Sequence, residues 1–171
     1  MDCTDCRIYE VQVPFCTVWY SSKFRGPGIR YEIAICILTG DIVWINGPFP
    51  CGITDNIIYK SDLGKRLRPG EFVEADSGYE GNDNVKPPGA KVNHVQGEKK
   101  SQARGRHEGV NGRITFFHAI CDRFRHNDHG KHRTMFVATA VAIQIGFNLN
   151  EGLPFKVDDV GVYDSFPAPT L

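Results

Sequence analysis

The chain has 171 residues, a hydrophobic fraction of 41% and equal numbers of basic and acidic side chains. That length suits one folded domain, and the composition is typical of globular rather than disordered proteins. A net charge of zero excludes a globally basic surface that would bind nucleic acid through charge alone. The charge is uneven, however, because the stretch 99–133 carries nine basic and three acidic residues, whereas residues 151–171 are acidic.

The N-terminal residues do not resemble a secretory signal, because acids stand where such a signal has basic and then apolar residues. The longest apolar run, 135–147, is shorter than the roughly 20 residues that cross a bilayer. The six cysteines are therefore expected to be reduced thiols. We predict a protein of the nucleus or cytoplasm, neither secreted nor membrane-bound, with one domain over 1–150 and an acidic tail over 151–171.

The first third of the chain predicts an antiparallel hairpin. Two runs rich in β-branched residues, 29–38 and 41–46, are separated by the turn-forming pair Thr39-Gly40. The stretch 2–13 is expected to add a third strand to this hairpin.

The middle of the chain places an acidic residue at the end of a strand. Thr54 or Asp55 is predicted to begin a short helix that ends at Leu63, and the run 71–75 is typical of a strand. Asp76 follows this strand directly, and open α/β sheets bind ligands at such carboxyl ends. The stretch 80–100 is predicted to be a mobile loop with one short strand at 85–87, because it is rich in Gly, Pro, Asn and Lys.

Helical periodicity follows that stretch. Apolar residues at positions 110, 114, 117, 121 and 124 recur at the spacing of one helix face. At roughly 100° per residue, Glu108 lies about 160° from Val110 and is expected to point away from the core. A second helix, from about 133 to 147, is apolar on all sides, which predicts that it is buried.

Three acids at the ends of separate elements, Asp2, Asp76 and Glu108, form a candidate metal site. Phosphodiester cleavage can use two Mg²⁺ or Mn²⁺ ions about 3.5 to 4 Å apart, and these hard cations take oxygen ligands. Carboxylates that come from separate strands and helices suit this chemistry. The alternative is three solvated surface carboxylates, since the chain has 20 acidic residues.

Five sequence motifs around these acids favour the metal site. In chain order they are DCTDC (2–6), WYSSK (19–23), GPFPCGITD (47–55), ADSGY (75–79) and RGRHEGVNGR (104–113). Together they resemble the DDE superfamily endonucleases, the transposase catalytic domains of Harbinger-type transposons and related insertion sequences. The resemblance extends from Met1 to about Phe147.

The resemblance implies an RNase H-like α/β fold, in which a mixed sheet starts with an antiparallel hairpin and helices pack on it. It also implies a nuclease that uses two Mg²⁺ or Mn²⁺ ions, cleaves DNA at transposon ends and can join the freed 3′-hydroxyl to a target. Asp2 would be the first catalytic acid and would bridge both metals, while Asp76 and Glu108 would be the second and third. Asp55 is a further site candidate, with a helix cap as its alternative role.

Two features differ from the family pattern. Cys3 stands where the family usually has Gly, and Met1 immediately precedes Asp2, where relatives have most of a strand and an upstream DNA-binding region. We therefore also consider a catalytically inactive, transposase-derived module that binds DNA or protein. The expected partners of an active chain are DNA, a separate DNA-binding protein and further copies of the chain.

The basic stretch around Glu108 is a candidate path for DNA, with a solvated helix face as the alternative. Its members are Lys99, Lys100, Arg104, Arg106 and Arg113.

Two further sets of residues could bind zinc in a purely structural domain. They are Cys3 with Cys6, and His126, His129 and His132 with Cys121. The alternatives are a pair of buried thiols and a polar link between two helices.

Overall fold

The computed structural model describes residues 1–9, 16–37, 39–86 and 94–149. Its main sheet is built around strand β3 (Gly26–Ile35), which pairs antiparallel with three described strands. These are β1 (Asp2–Arg7), β2 (Tyr20–Ser21) and β4 (Ile42–Pro50). Together with the helices described below, this antiparallel sheet makes a mixed α/β protein.

The predicted hairpin is confirmed, since β3 and β4 pair along most of their length. Gly40 in the connecting turn has a φ of 80°, a left-handed conformation that glycine adopts at little cost. β4 continues past its predicted end at Asn46, because Phe49 and Pro50 still pair with β3. β1 is the predicted third strand, and residues 10–13 of that prediction lie outside the described part of the chain.

A second, two-stranded sheet lies next to the start of β1. It pairs β5 (Val73–Glu74) with β6 (Val85–Lys86) in parallel. Both strands lie within stretches that the sequence predicted to be strands, 71–75 and 85–87. Residue 87 of the second prediction lies outside the described residues. The main-chain nitrogen of Met1 donates a hydrogen bond of 2.7 Å to the carbonyl oxygen of Glu74. This bond brings the end of β5 beside the beginning of β1.

The described residues form five α-helices, and their limits correct two predictions. They are α1 (Asp55–Ser61), α2 (Leu63–Arg66), α3 (His94–Phe116), α4 (His118–Cys121) and α5 (His129–Asn148). The helix expected after Thr54 is confirmed as α1, but Asp62 has a non-helical backbone and separates it from α2. The loop predicted over 80–100 is wrong from His94 onward, where α3 begins, while residues 87–93 lie outside the description.

The single helix face predicted from residue 110 to residue 124 is also wrong. α3 ends at Phe116, and Phe117 has an extended backbone with a ψ of 120° that precedes α4. Phe124 belongs to neither helix, because its main-chain nitrogen donates to Arg7 O and its oxygen accepts from Tyr9 N. The apolar spacing therefore reflects contacts with one core that are made by separate elements.

Helix α5 is only partly buried, which corrects the prediction of burial on all sides. Asp128 caps its start by accepting a hydrogen bond of 2.9 Å from Gly130 N. Phe136 and Ala140 face the core, whereas Val141 and Ile145 remain about half exposed. Apolar composition alone thus did not distinguish a buried face from an exposed one.

The main sheet separates two hydrophobic clusters. Ile29, Tyr31 and Ile33 of β3 pack with residues of α3, α4 and α5 on one side. Residues of α1, α2 and the small sheet form the second cluster, which includes Cys3 and Tyr79. Successive residues of a strand point to opposite faces, so β1 contributes to both clusters in alternation. None of the described helices is long and apolar enough to span a bilayer.

Candidate active site

Asp2 begins β1, opposite Ile33 of β3, and its carboxylate is held by two hydrogen bonds. Oδ1 accepts from the main-chain nitrogen of Cys3 at 2.7 Å, and Oδ2 accepts from Asn111 Nδ2 at 3.2 Å. The second bond joins the first strand directly to helix α3. The orientation of Asp2 therefore depends on a residue more than one hundred positions away in the sequence.

Asn111 is itself oriented by His107, one helical turn earlier. His107 Nε2 lies 3.0 Å from Ile33 O, and a carbonyl oxygen can only accept, so Nε2 carries the proton. Nδ1 then accepts from Asn111 Nδ2 at 3.3 Å. Burial, with the positive charge at Met1 as a smaller cause, lowers the pKa of His107 to about 4 and keeps the ring neutral. Asn111 and His107 were not predicted as site residues, although their spacing of four residues places both on one helix face.

Glu108 lies three residues before Asn111, and residues at this spacing are neighbours on a helix surface. Its side chain is exposed, as predicted from its angle to the buried Val110. No hydrogen-bond partner for the Glu108 carboxylate is found within the described ranges. Helix α3 thus presents an unpaired carboxylate beside the residue that holds Asp2.

Asp76 follows β5 and is exposed. Its Oδ1 accepts from Gly78 N at 2.9 Å and caps the short 3-10 helix Ser77–Tyr79. Burial lowers the pKa of the Met1 amino group, while the negative charges of Asp2 and Asp76 act in the opposite direction. The hydrogen bond from Met1 N to the oxygen of Glu74, two residues before Asp76, brings this segment beside the start of β1.

Asp55, the first residue of α1, lies beside Asp76. A Cβ atom added at Gly78 would lie 3.0 Å from Asp76 Oδ1 and 3.3 Å from Asp55 Oδ2, so only glycine leaves this space open. Burial raises the pKa of Asp55, and the charge of Arg30 opposes this effect. Thr54 precedes the helix and makes no capping hydrogen bond through its side chain.

Arg30 fixes the position of Asp55 through an ion-pair network beneath the site. Its Nη1 donates to Asp55 Oδ1 at 2.6 Å, and its Nε donates to Asp5 Oδ1 at 2.7 Å. The Asp5 side chain is only 1% exposed and also accepts from Ser21 Oγ at 2.6 Å. Burial alone would raise the pKa of Asp5, but the hydrogen bonds from Arg30 and Ser21 hold it below its ordinary value. Asp5 is thus a structural anion, and Arg30 links it to the site.

The donor atoms of Asp2, Asp76 and Glu108 are all carboxylate oxygens, which fits Mg²⁺ or Mn²⁺ rather than a soft metal. These three acids do not place three ligand atoms within 4.8 Å of one another. Among the residues described, only His118, Cys121 and Asp122 do so, and all three are exposed. Ligands shared between two ions about 3.5 to 4 Å apart do not need to be that close together.

The residues of the predicted basic path near Glu108 lie in different environments. Lys99 and Lys100 belong to α3, but their side chains lie outside the described part. Arg104 is exposed, whereas Arg106 is 3% exposed and donates to Ile37 O at 2.8 Å. Arg113 lies over the Phe147 ring at 5.0 Å. Arg106 would have to break its bond to the main chain before it could contact a phosphate.

The cysteines of the C-x-x-C pair lie on opposite faces of β1. Cys3 belongs to the cluster with Tyr79, and Cys6 belongs to the cluster with Tyr31. Burial raises the pKa of both thiols, to about 12 for Cys6, which disfavours the thiolate that zinc requires.

The three histidines of the predicted link between two helices are also dispersed, and two of them, His129 and His132, belong to α5 rather than to a link. His132 is fully buried, with Nδ1 2.9 Å from Tyr31 Oη, while His129 packs edge-on against Trp19 at 5.0 Å. His126 Nε2 instead lies 3.0 Å from Lys131 Nζ on the surface. The three rings therefore do not share a site with one another in this structure.

Comparison with known protein families gives one match. A family model described as DDE superfamily endonuclease matches residues 1–144. The matched region contains all three acids, together with Asp55, His107 and Asn111. Searches of curated proteins and of solved structures found no match.

Proposed function

The chain belongs to the DDE superfamily endonucleases, and from this premise we propose that it is a metal-dependent DNA endonuclease. Asp2, Asp76 and Glu108 would hold two Mg²⁺ or Mn²⁺ ions, with Asp55 as a further acid at the edge of the site. The fold is an RNase H-like version of the mixed α/β architecture. The same site can join a freed 3′-hydroxyl to target DNA, and a location in the nucleus or cytoplasm is compatible with this substrate.

The hydrogen bond between Asn111 and Asp2 carries the proposal. It connects the strand with the first acid to the helix with the third acid, and Glu108 lies one turn from the bond. The contact between Met1 N and Glu74 O supports the inclusion of Asp76 in the site, because Asp76 follows two residues after Glu74. Contacts between three elements that are distant in sequence therefore support a shared site at the start of β1.

The protein residues hold and orient the ligands in this mechanism. When bound, the two ions supply an activated water and neutralise charge at the scissile phosphate. Asp2 keeps one fixed orientation because Cys3 N and Asn111 occupy an acceptor position on each of its oxygens. Asp76 is fixed by its bond to Gly78 N, and α3 supplies the exposed carboxylate of Glu108 as the third ligand.

The test is cleavage of supercoiled plasmid DNA by the purified chain with Mg²⁺ or Mn²⁺. Asp76→Asn and Glu108→Gln should each abolish nicking, while their unfolding temperatures in metal-free buffer remain close to that of the unsubstituted chain. Asp83→Asn and Glu80→Gln are matched controls, because both residues are exposed and lie outside the site. Equal nicking by the two site variants and the two controls would refute the proposal.

A second candidate function is a catalytically inactive module that binds DNA or protein. It is favoured by the spacing of the three acids, which do not bring three ligand atoms within 4.8 Å in this structure. This candidate predicts salt-sensitive DNA binding without cleavage at any Mg²⁺ or Mn²⁺ concentration. Metal-dependent turnover by the unsubstituted chain, lost in Asp76→Asn, would exclude it.

A further inference from the structure

The residues at the C-terminal end of β1 and just after it pair through their main chain with the segment that follows α4. Ile8 bridges to Phe124 in parallel, Phe124 N donates to Arg7 O at 2.9 Å, and Tyr9 N donates to Phe124 O at 3.1 Å. Ile8 is 1% exposed, and Phe124 packs against the same core cluster. Neighbouring residues of an extended chain point to opposite faces. The residues on either side of the bridge must therefore face outward.

These outward residues are Arg7, Tyr9, Arg123 and Arg125, and we call them the outer arginine face. All four are exposed, with Tyr9 at 46%. The guanidinium carbons of Arg123 and Arg125 lie 5.4 and 6.0 Å from the centre of the Tyr9 ring. Arg7 lies 4.9 Å from the centre of the Phe24 ring. Stacking on a ring orients a guanidinium while leaving its N–H groups available to an anion.

In the described part of the chain, the basic residues of this face outnumber the acids that flank it, Asp122 and Asp128. Within the described ranges, no ion pair involves any of the three arginines. The Asp122 carboxylate lies 3.5 Å from His118 Nδ1, and the Asp128 carboxylate caps α5. Lys131, also exposed, adds a further positive charge nearby. A concentrated positive surface on a chain of zero net charge points to a polyanionic ligand.

We propose that the outer arginine face binds the phosphate backbone of duplex DNA at a distance from the acids. At about 3.3 Å per extended residue, Tyr9 lies roughly 23 Å from Asp2 along β1 and the two residues that follow it. That distance corresponds to roughly seven nucleotides at about 3.4 Å each, so the face holds DNA outside the segment at the acids. Arginine is suited to this role because its planar fork matches phosphate oxygens. The inference rests on the proposed function for its choice of ligand.

The test measures duplex binding by fluorescence anisotropy over a range of salt concentrations, in EDTA so that no cleavage occurs. The double variant Arg123→Gln/Arg125→Gln removes two charges without touching the core. It should bind roughly tenfold more weakly at 0.1 M salt, and its slope of log K against log salt should fall by about 2. The matched control Lys65→Gln/Arg68→Gln removes two charges from another exposed region and should keep the original slope.

Equal affinities and equal salt slopes for the two double variants would overturn the proposal. It would also be overturned if poly-glutamate of equal charge displaced the DNA as effectively as a second duplex does, since that result favours an acidic protein as the ligand. Because binding is measured without metal, the outcome does not depend on nuclease activity. Full cleavage by Asp76→Asn would refute the proposed nuclease function, but it would not change this measurement of DNA binding.

Discussion

Asn111 Nδ2 lies 3.2 Å from Asp2 Oδ2 and is the direct link between helix α3 and the first strand. The same amide group donates to His107, which in turn donates to the carbonyl oxygen of Ile33. Because Ile33 is also the strand partner of Asp2, the four residues form a closed ring of contacts. Such a ring restricts the rotation of a carboxylate that would otherwise lie at a free edge.

Asn111→Ala is expected to weaken metal binding by about tenfold or more, because groups that orient a metal ligand contribute this much to affinity. The measurement is the Mn²⁺ concentration at half-maximal nicking, together with the rise in unfolding temperature that Mn²⁺ causes. Asn127→Ala is the control, since Asn127 is exposed and lies before α5. If both variants need the same Mn²⁺ concentration as the original chain, Asn111 does not position Asp2 for metal binding.

Gly78→Ala is expected to lower metal-dependent nicking while leaving folding intact. The new Cβ would lie 3.0 Å from Asp76 Oδ1 and 3.3 Å from Asp55 Oδ2, and would push these carboxylates apart. Gly112→Ala is a matched control, because a Cβ there meets no atom within 4 Å. The comparison uses nicking rates at saturating Mg²⁺ and unfolding temperatures without metal. Unchanged nicking by Gly78→Ala would show that the spacing of Asp55 and Asp76 is unimportant.

Asp5→Asn is expected to destabilise the fold by about 3 kcal/mol near pH 7, since it leaves Arg30 without a buried partner. The pKa of Asp5 is lower in the folded chain than its ordinary 3.8, so its carboxylate stabilises the fold above that pH. This stabilisation is lost as the pH falls through the folded-state pKa. Chemical unfolding at several pH values should therefore show the two proteins converging in strong acid.

Asp62→Asn is the control for this prediction, because its partner Arg66 is exposed and surface ion pairs contribute about 0 to 1 kcal/mol. A constant difference between Asp5→Asn and the original chain down to pH 2 would contradict the assigned role of the Asp5 charge.

Glu32 should make the protein less stable as the pH rises toward neutrality. Its side chain is fully buried, with Oε2 accepting from Trp44 Nε1 at 2.9 Å, and burial raises its pKa from 4.5 to about 7. The folded chain thus binds a proton that the unfolded chain has already released between these values. The free energy of unfolding should fall from pH 4.5 to 7.

Replacing the carboxyl group by an amide in Glu32→Gln should remove this part of the pH dependence, whereas Glu71→Gln, at an exposed position, should retain it. Denaturant unfolding at pH 5, 6 and 7 compares the three proteins. Identical slopes for all three would show that Glu32 does not titrate in this range.

The parts of the structure that follow local rules could be predicted from the sequence. Two runs rich in β-branched residues on either side of Thr39-Gly40 were sufficient to predict the hairpin, and the family motifs were sufficient to identify the family. The end of α3 at Phe116 was not predictable in this way. The residues at positions 110, 114 and 124 contact one core from separate elements, and their spacing along the sequence does not show where one element ends.

The candidate site shows the same division between local and distant contacts. Asp2, Asp76 and Glu108 were proposed from the motifs around them, and their roles remain predictions. The burial of Arg106 and the bond from Asn111 to Asp2 depend on how α3 lies against the main sheet. Charge counting treated Arg106 as a surface residue, because the sequence does not show which side of a basic helix faces the protein.

The alternation of side chains along β1 has a consequence for how the protein reaches its native state. Asp2 faces α3, while Cys3 faces Tyr79 on the other side of the sheet. A shift of one residue in the pairing of β1 with β3 would exchange these two sets. Asp2 would enter an apolar layer and Cys3 would take its place beside Asn111. A β1 strand shifted by one residue is therefore expected to be less stable than the native register, so that folded molecules with a wrongly assembled site form only a minor population.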